Sequence, residues 1–230
     1  AKLVPLQQQL HPRRRGQPCD APEGVMLTFD VFTADADAVR QHLGHEKVIV
    51  IGHSYGGFIA QEYAIAYPDA LMGLLLIDTV PVLDYQPTPP GGTEEQLAAF
   101  GAAFTRPMEN DEDWRNTWTT LSQMYFHDYD PAVGDALDAA THYSAAAWNQ
   151  ANALLATYNT LEGLPSITVP TLIVAGEGDF ITPPAQGAER LGDLIPNAQV
   201  KMFADSRHYP FIEAQDAFFS TLREWLGQFQ

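Results

Sequence analysis

Residues Val48-Ile49-Val50-Ile51 run without a break into Gly52-His53-Ser54-Tyr55-Gly56-Gly57, and few folds accommodate that junction. Four consecutive β-branched aliphatic residues suit a strand buried on both faces. From Phe58 to Tyr67 the apolar residues fall at helical spacings until Pro68 stops the run. The G-x-S-x-G between them predicts a sharp strand-to-helix reversal. Gly52 and Gly56 read there as residues chosen for lacking a Cβ, with Ser54 held out at the edge of the sheet. The helix N-terminus adds partial positive charge and a free N–H at Tyr55, both aimed where an oxyanion would form.

With 230 residues, 46% of them hydrophobic, the chain is long enough to bury a full core as one domain with an inserted lobe. Its formal charge of −17, from 29 acidic against 12 basic residues, argues against nucleic acid or an anionic membrane surface as a partner. Arg13, Arg14 and Arg15 form the only basic cluster and read as a solvated loop. The single cysteine, Cys19, cannot close an intramolecular disulfide and reads as an incidental thiol. That usage fits a reducing, cytoplasmic location. No apolar run approaches the ~20 residues needed to cross a bilayer.

In chain order, Leu3–Leu6 suggest a short strand and Gln7–Gly24 a polar, proline-bearing loop. Phe32, Ala36, Val39 and Leu43 then space an amphipathic helix from Asp30 to Leu43, ended by Gly44. The Lys47–Ile51 strand, the turn and its helix lead to a second buried strand, Leu74–Ile77, which ends in Asp78. Strands that alternate with helices and are uniformly apolar predict an α/β fold with a mostly parallel sheet covered on both faces. From about Thr79 to Val169 the rhythm breaks into prolines and aromatic-rich helical stretches, which reads as a helical cap over the strand ends. The sheet resumes at Thr171–Ala175, with a helix near Ala185–Leu194, a strand at Gln199–Phe203 and a last helix from about Ile212 to Leu226. The expected division is therefore core at 1–78, cap at 79–169 and core again at 170–230.

A serine hydroxyl is a poor nucleophile at neutral pH unless a base lies within hydrogen-bond reach, and the base needs a carboxylate to fix its tautomer. Two downstream loops offer both. Gly176-Glu177-Gly178-Asp179-Phe180-Ile181-Thr182-Pro183 follows a strand, and Asp205-Ser206-Arg207-His208-Tyr209-Pro210-Phe211 follows the last strand. Ser54, Asp179 and His208 all lie just past strand C-termini, where open parallel sheets keep their active sites. For the acid, Asp179 competes with Asp78 and Glu177. His53 reads as packing that points away from Ser54. Histidines 11, 42, 45, 127 and 142 show no metal-ligand spacing, so neither metal nor cofactor is expected.

These three loops resemble those of the α/β-hydrolases, and Thr28–Pro81 with Pro170 to the end are similar to the branch containing proline iminopeptidases and their esterase relatives. The resemblance implies Ser54 as nucleophile, His208 as general base and then acid, Asp179 as the residue orienting it, and the Tyr55 amide as an oxyanion donor. A serine nucleophile disfavours haloalkane dehalogenase or epoxide hydrolase chemistry, whose attacking group is a carboxylate. The implied substrate is a small ester or short peptide. An aminopeptidase would hold an ammonium group, for which Glu109, Asp111, Glu112 and Asp113 are candidates against their reading as a solvated charge run. Trp114, Trp118, Tyr125, Phe126 and Trp148 read as cap core.

The chain departs from that family before Thr28. It shows neither the several strands usual before the one expected at Leu3–Leu6 nor the His-Gly-rich loop that supplies a second oxyanion donor, and Gln7–Arg13 match the family's turn poorly. The expectation is a second polypeptide that supplies the strands, or self-association through the exposed sheet edge. The alternative from another class is a non-catalytic binding protein or inactive subunit on a hydrolase scaffold.

Overall fold

The computed structural model describes residues 26–229. The expected strand at Leu3–Leu6, the loop to Gly24, the Arg13–Arg15 cluster, the Gln7–Arg13 turn and Cys19 lie outside these residues. Four strands, β1 (Val48–His53), β2 (Leu71–Ile77), β3 (Thr171–Gly176) and β4 (Ala198–Phe203), form one sheet in the order β1-β2-β3-β4. All three pairings are parallel. Parallel neighbours need crossovers, and helices connect each strand to the next.

The period-2 alternation of a strand assigns the faces. Leu74, Leu76, Ile173 and Ala175 pack on one side against α2 (Tyr55–Ala66) and α7 (Ala188–Leu194). Leu75, Ile77, Leu172 and Val174 pack on the other against Phe218, Leu222 and Trp225 of α9 (Gln215–Leu226). β2 and β3 are therefore buried on both faces, as their composition requires.

The expectation of two-sided burial fails for β1. Val48, Ile49 and Val50 are only half-buried and Ile51 is 45% exposed. The reason is position: among the described residues β1 pairs only with β2 and forms an edge. The preceding helix α1 (Phe29–His42) begins at an N-cap Thr28 and ends beside Gly44, whose φ of 70° favours glycine. Its buried face is polar rather than the apolar one predicted. Asp37 takes Arg40 at 2.7 Å, Gln41 at 2.6 Å and the Tyr63 hydroxyl of α2 at 3.0 Å. Phe32 and Val39 are half-buried and Ala36 is exposed.

Between β2 and β3 lie α3 (Glu94–Thr105), α4 (Asp111–Leu121), α5 (Pro131–Ala140) and α6 (Ala145–Leu154), packed around a separate aromatic cluster. Trp114 and Trp148 stack with ring centroids 4.3 Å apart. The predicted last helix is two pieces, α8 (Pro210–Glu213) and α9, which break at Ala214. Among the described residues no helix is long and apolar enough to cross a membrane.

Candidate active site

β1 delivers Ser54 into a backbone conformation that a side chain rarely adopts, φ 53° and ψ −122°. Such geometry persists only where the surroundings over-determine it. The Ser54 N–H donates to the Ile77 carbonyl at 2.9 Å, and its carbonyl accepts from the Gly57 N–H at 2.8 Å and the Thr79 hydroxyl at 3.1 Å. The tightness of the turn shows at Gly52, where a Cβ would stand 2.4 Å from the Gly56 carbonyl oxygen. Gly56 itself faces open space, contrary to its expected role; the second close approach is at Gly57, whose Cβ would meet Thr79 at 2.5 Å. Tyr55 opens α2, so its N–H belongs to the first turn, which has no intrahelical acceptor. Its hydroxyl donates to the Ala151 carbonyl of α6 at 3.0 Å and ties the turn to the helical segment above.

Asp179 and His208 meet. The loops after β3 and β4 are laced by Gly178 N–H to Ser206 carbonyl at 3.0 Å, and His208 Nδ1 lies 2.8 Å from Asp179 Oδ2. Both side chains are buried. Asp179 also accepts from the Thr182 hydroxyl at 2.5 Å and the Ile181 N–H at 2.8 Å. Burial alone would raise its carboxyl, but the His208 charge and these donors hold it below the usual carboxylate range. A carboxylate at Nδ1 fixes the tautomer with the proton there and leaves Nε2 as acceptor. Nε2 is buried and has no hydrogen-bond partner among the described residues, so the structure joins two of the three residues and does not bond Ser54 to His208.

Asp78, the competing acid, lies behind this pair. It is buried with φ 42°, and its Oδ1 accepts from the Gly176 N–H at 2.9 Å. Donor atoms of Asp78, Asp179 and His208 all lie within 4.8 Å of one another. They are the only His, Asp or Glu group among the described residues close enough for a metal ion, which would have to displace the Asp179–His208 bond. Glu177, the other competitor, is exposed.

Two contributors escaped the sequence reading. His53 does pack, against His208, Tyr209 and Phe211, but its Nε2 also lies 2.7 Å from the His208 carbonyl. Burial, then the neighbouring His208 charge, lowers it to about 3, so it is neutral and donates. Glu213 of α8 accepts from the Arg207 N–H at 2.9 Å, the Ser206 hydroxyl at 3.2 Å and the His127 N–H across the site. A carboxylate in the first turn after a histidine loop is the signal that could have found it.

Of the acidic run on α4, Asp113 is chelated by Arg106 at 2.6 and 2.7 Å, which with the Glu109 N–H lowers it to about 2. Asp111 accepts from the Ala145 N–H at 2.8 Å. Asp113 is thus tied to Arg106, while Asp111, Glu109 and Glu112 are exposed. A cavity of about 700 Å³ opens in the helical segment between Trp114, Trp118, Phe126, Tyr129, Trp148 and Tyr209, so these aromatics form both core and wall. Neither Ser54 nor His208 lines it.

Against known proteins, a family described as alpha/beta hydrolase fold matches residues 14–215. The chain is 26% identical over 231 residues to a proline iminopeptidase of Lactobacillus helveticus, covering 92% of this chain and 75% of the relative. It is 27% identical over 217 residues to the proline iminopeptidase PfmaB of Pestalotiopsis fici, covering 86% and 74%. Among solved structures, an esterase from Exiguobacterium antarcticum superposes with a TM-score of 0.75 at 23% identity, over 90% of this chain and 76% of that one. An identity that low speaks for the fold alone.

Proposed function

The chain belongs to the alpha/beta hydrolase family, and from that premise we propose that it is a cofactor-independent serine hydrolase. It cleaves a small carboxylic ester or an N-terminal amide through an acyl-enzyme on Ser54, beneath a helical cap formed by residues 79–169. The observation that carries this reading is the buried 2.8 Å Asp179–His208 hydrogen bond, with the other ring nitrogen unpartnered, in a chain whose strand-to-helix turn holds Ser54 at a strained φ. Catalytic hydrogen bonds in free enzymes are commonly loose and tighten once substrate is bound.

His208 Nε2 takes the Ser54 proton as Oγ attacks the carbonyl carbon. The tetrahedral oxyanion is met by the Tyr55 N–H at the start of α2. The imidazolium, held by Asp179 at Nδ1, returns the proton to the departing alcohol or amine. Water repeats the sequence to release the acid. One oxyanion donor is assigned; a missing second one costs about 10²–10³ in kcat.

The test is Ser54→Ala. Turnover of short-chain p-nitrophenyl esters and of proline p-nitroanilide should vanish, and a phosphonate probe should label wild type but not the variant. Unchanged turnover in Ser54→Ala would overturn the acyl-enzyme on Ser54, and a folded wild-type protein the probe does not label would favour a binding protein instead. The relative share of the two substrates separates esterase from aminopeptidase. The half-exposed β1 edge, with Ile51 open, supports pairing with a second polypeptide or a second copy, and a strictly monomeric, fully active 230-residue chain on size exclusion would exclude that partner. One cysteine is consistent with a cytoplasmic location.

A further inference from the structure

Two carboxyl groups and an imidazole share one buried space at the C-terminal ends of β2, β3 and β4. Asp78 is 1% exposed, Asp179 3% and His208 1%, and their donor atoms converge within 4.8 Å. The two acids are supplied unequally. Asp179 receives the Ile181 N–H, the Thr182 hydroxyl and His208 Nδ1. Asp78 receives one donor, the Gly176 N–H on Oδ1, while its Oδ2 is buried and has no partner among the described residues.

Two unscreened negative charges at this separation cannot both persist, and the acid with fewer donors keeps the proton. The titratable groups around the two acids are His208, His53, Tyr85, Tyr125, Tyr209 and Glu213; none is a fixed cation that would hold Asp78 ionised. Burial first, and the Asp179 charge second, raise the Asp78 carboxyl well above the usual carboxylate range.

We propose that Asp78 is a neutral carboxylic acid whose Oδ2–H donates to Asp179, extending the Asp179–His208 pair into a chain of acid, carboxylate and imidazole. This rests on the assignment of Asp179 and His208 as orienting acid and base. Asp78 touches no reacting atom and is a positioning residue: its proton stays on Asp78 throughout the cycle. The added donor aligns the Asp179 carboxylate on His208 Nδ1 and gives the otherwise unpaired Oδ2 its bond. The left-handed backbone of Asp78 (φ 42°), anchored by its own N–H on the Val174 carbonyl at 2.9 Å, turns the side chain back toward β3.

The intact protein decides this with Asp78→Asn, Asp78→Ala and Asp179→Asn, assayed by pH profiles of p-nitrophenyl ester turnover. Asn keeps a donor and an acceptor without a charge, so Asp78→Asn should hold kcat/KM within about threefold with an unmoved acid limb. Asp78→Ala should lose about 10- to 100-fold in kcat at unchanged KM, the loss of one hydrogen bond to a charged group. An ionised Asp78 gives a different sign: its removal in Asp78→Asn takes a negative charge from beside the imidazole and moves the acid limb to lower pH by about one unit. That shift, an Asp78→Asn variant as impaired as Asp78→Ala, or an Asp78→Ala variant with full kcat would each overturn the proposal. If Asp78→Ala does not fold, the limb of Asp78→Asn decides alone. An infrared carbonyl band of a protonated, buried carboxylic acid, present in wild type at pH 7 and missing in Asp78→Asn, is expected independently of turnover, and its absence from wild type refutes the neutral acid. Asp179→Asn with undiminished turnover would instead sink the assignment of the triad and leave the infrared result standing.

Discussion

Gly176 ends β3 directly against the histidine loop, and adding one methyl group there should disable the site without unfolding the protein. A Cβ on Gly176 would stand 2.0 Å from the Arg207 carbonyl oxygen and 2.6 Å from that of Ser206. Both atoms are backbone, so no side chain can swing aside. Relief requires the 206–208 loop to retreat by about 1 Å, and a displacement of that size at a reacting group costs roughly 10²-fold in rate, about 2.7 kcal/mol. Gly178→Ala is the matched control: its Cβ would meet Arg207 Cγ at 3.2 Å and the Ser206 carbonyl at 3.3 Å, a contact that a few tenths of an ångström relieve. Steady-state turnover of a p-nitrophenyl ester, with circular dichroism and thermal melting to verify the fold, should show Gly176→Ala about 100-fold impaired and Gly178→Ala within about threefold of wild type. Equal effects from the two, or a Gly176→Ala enzyme near wild-type kcat, would mean that the loop does not position the base.

Relieving the turn at Ser54 should separate stability from activity. Ser54→Gly releases backbone strain of ~1–3 kcal/mol, less the ~0.5–1 kcal/mol that glycine adds to unfolded-chain entropy, so the thermal midpoint should rise while turnover disappears. A lower midpoint would show that the φ of 53° is not strained. His53 makes stability depend on pH with a definite sign. Its folded value is depressed to about 3, so between there and its ordinary value the unfolded chain binds the extra proton. Stability therefore falls as pH drops through that window, by at most about 1.4 kcal/mol per unit from this ring. Urea melts at pH 4, 5 and 7 should show a shallower dependence in His53→Phe; an unchanged slope would place the effect elsewhere.

What the residues disclosed of this fold depended on how local the determining physics is. β2 and β3 were readable because burial on both faces forces every position to be apolar, and Leu74–Ile77 and Thr171–Ala175 comply. β1 is just as apolar, yet its exposure depends on what lies beside it, which its own residues do not encode. The face of α1 was misjudged because Asp37 is buried by a long-range bond to the Tyr63 hydroxyl, and the α8–α9 break escaped notice where Glu213 reaches back to Ser206, Arg207 and His127. At the site, chain order and strand ends pointed to Ser54, Asp179 and His208 together. They left Asp78 beside Asp179, since both follow strands, and the family resemblance favoured Asp179; in the structure it is Asp179, held by donors at Ile181 and Thr182, that lies 2.8 Å from His208 Nδ1.

The helical segment is fastened to the His208 loop and to Glu213 by four hydrogen bonds, and in the proposed hydrolase this constrains how substrate arrives. The His208 N–H donates to the Tyr125 carbonyl at 3.0 Å, the Arg207 guanidinium to the Met124 carbonyl at 3.0 Å, and Glu213 accepts from the N–H groups of His127 and Asp128. At about 1 kcal/mol each, opening this seam costs about 4 kcal/mol, a population on the order of 10⁻³. Opening there would also carry the imidazole away from Asp179. Helix α5 is the contrasting element: none of its residues is buried, and Asp138 holds it through an exposed ion pair with Arg115, a kind of contact worth about 0–1 kcal/mol. Substrate entry is therefore expected past α5, through the aromatic cavity it borders, while residues 122–128 stay clamped. Hydrogen exchange should then be fast at the amides of α5 and slow at Arg207 and His208. Rapid exchange at the latter two would place the moving edge at the catalytic loop and reverse the argument.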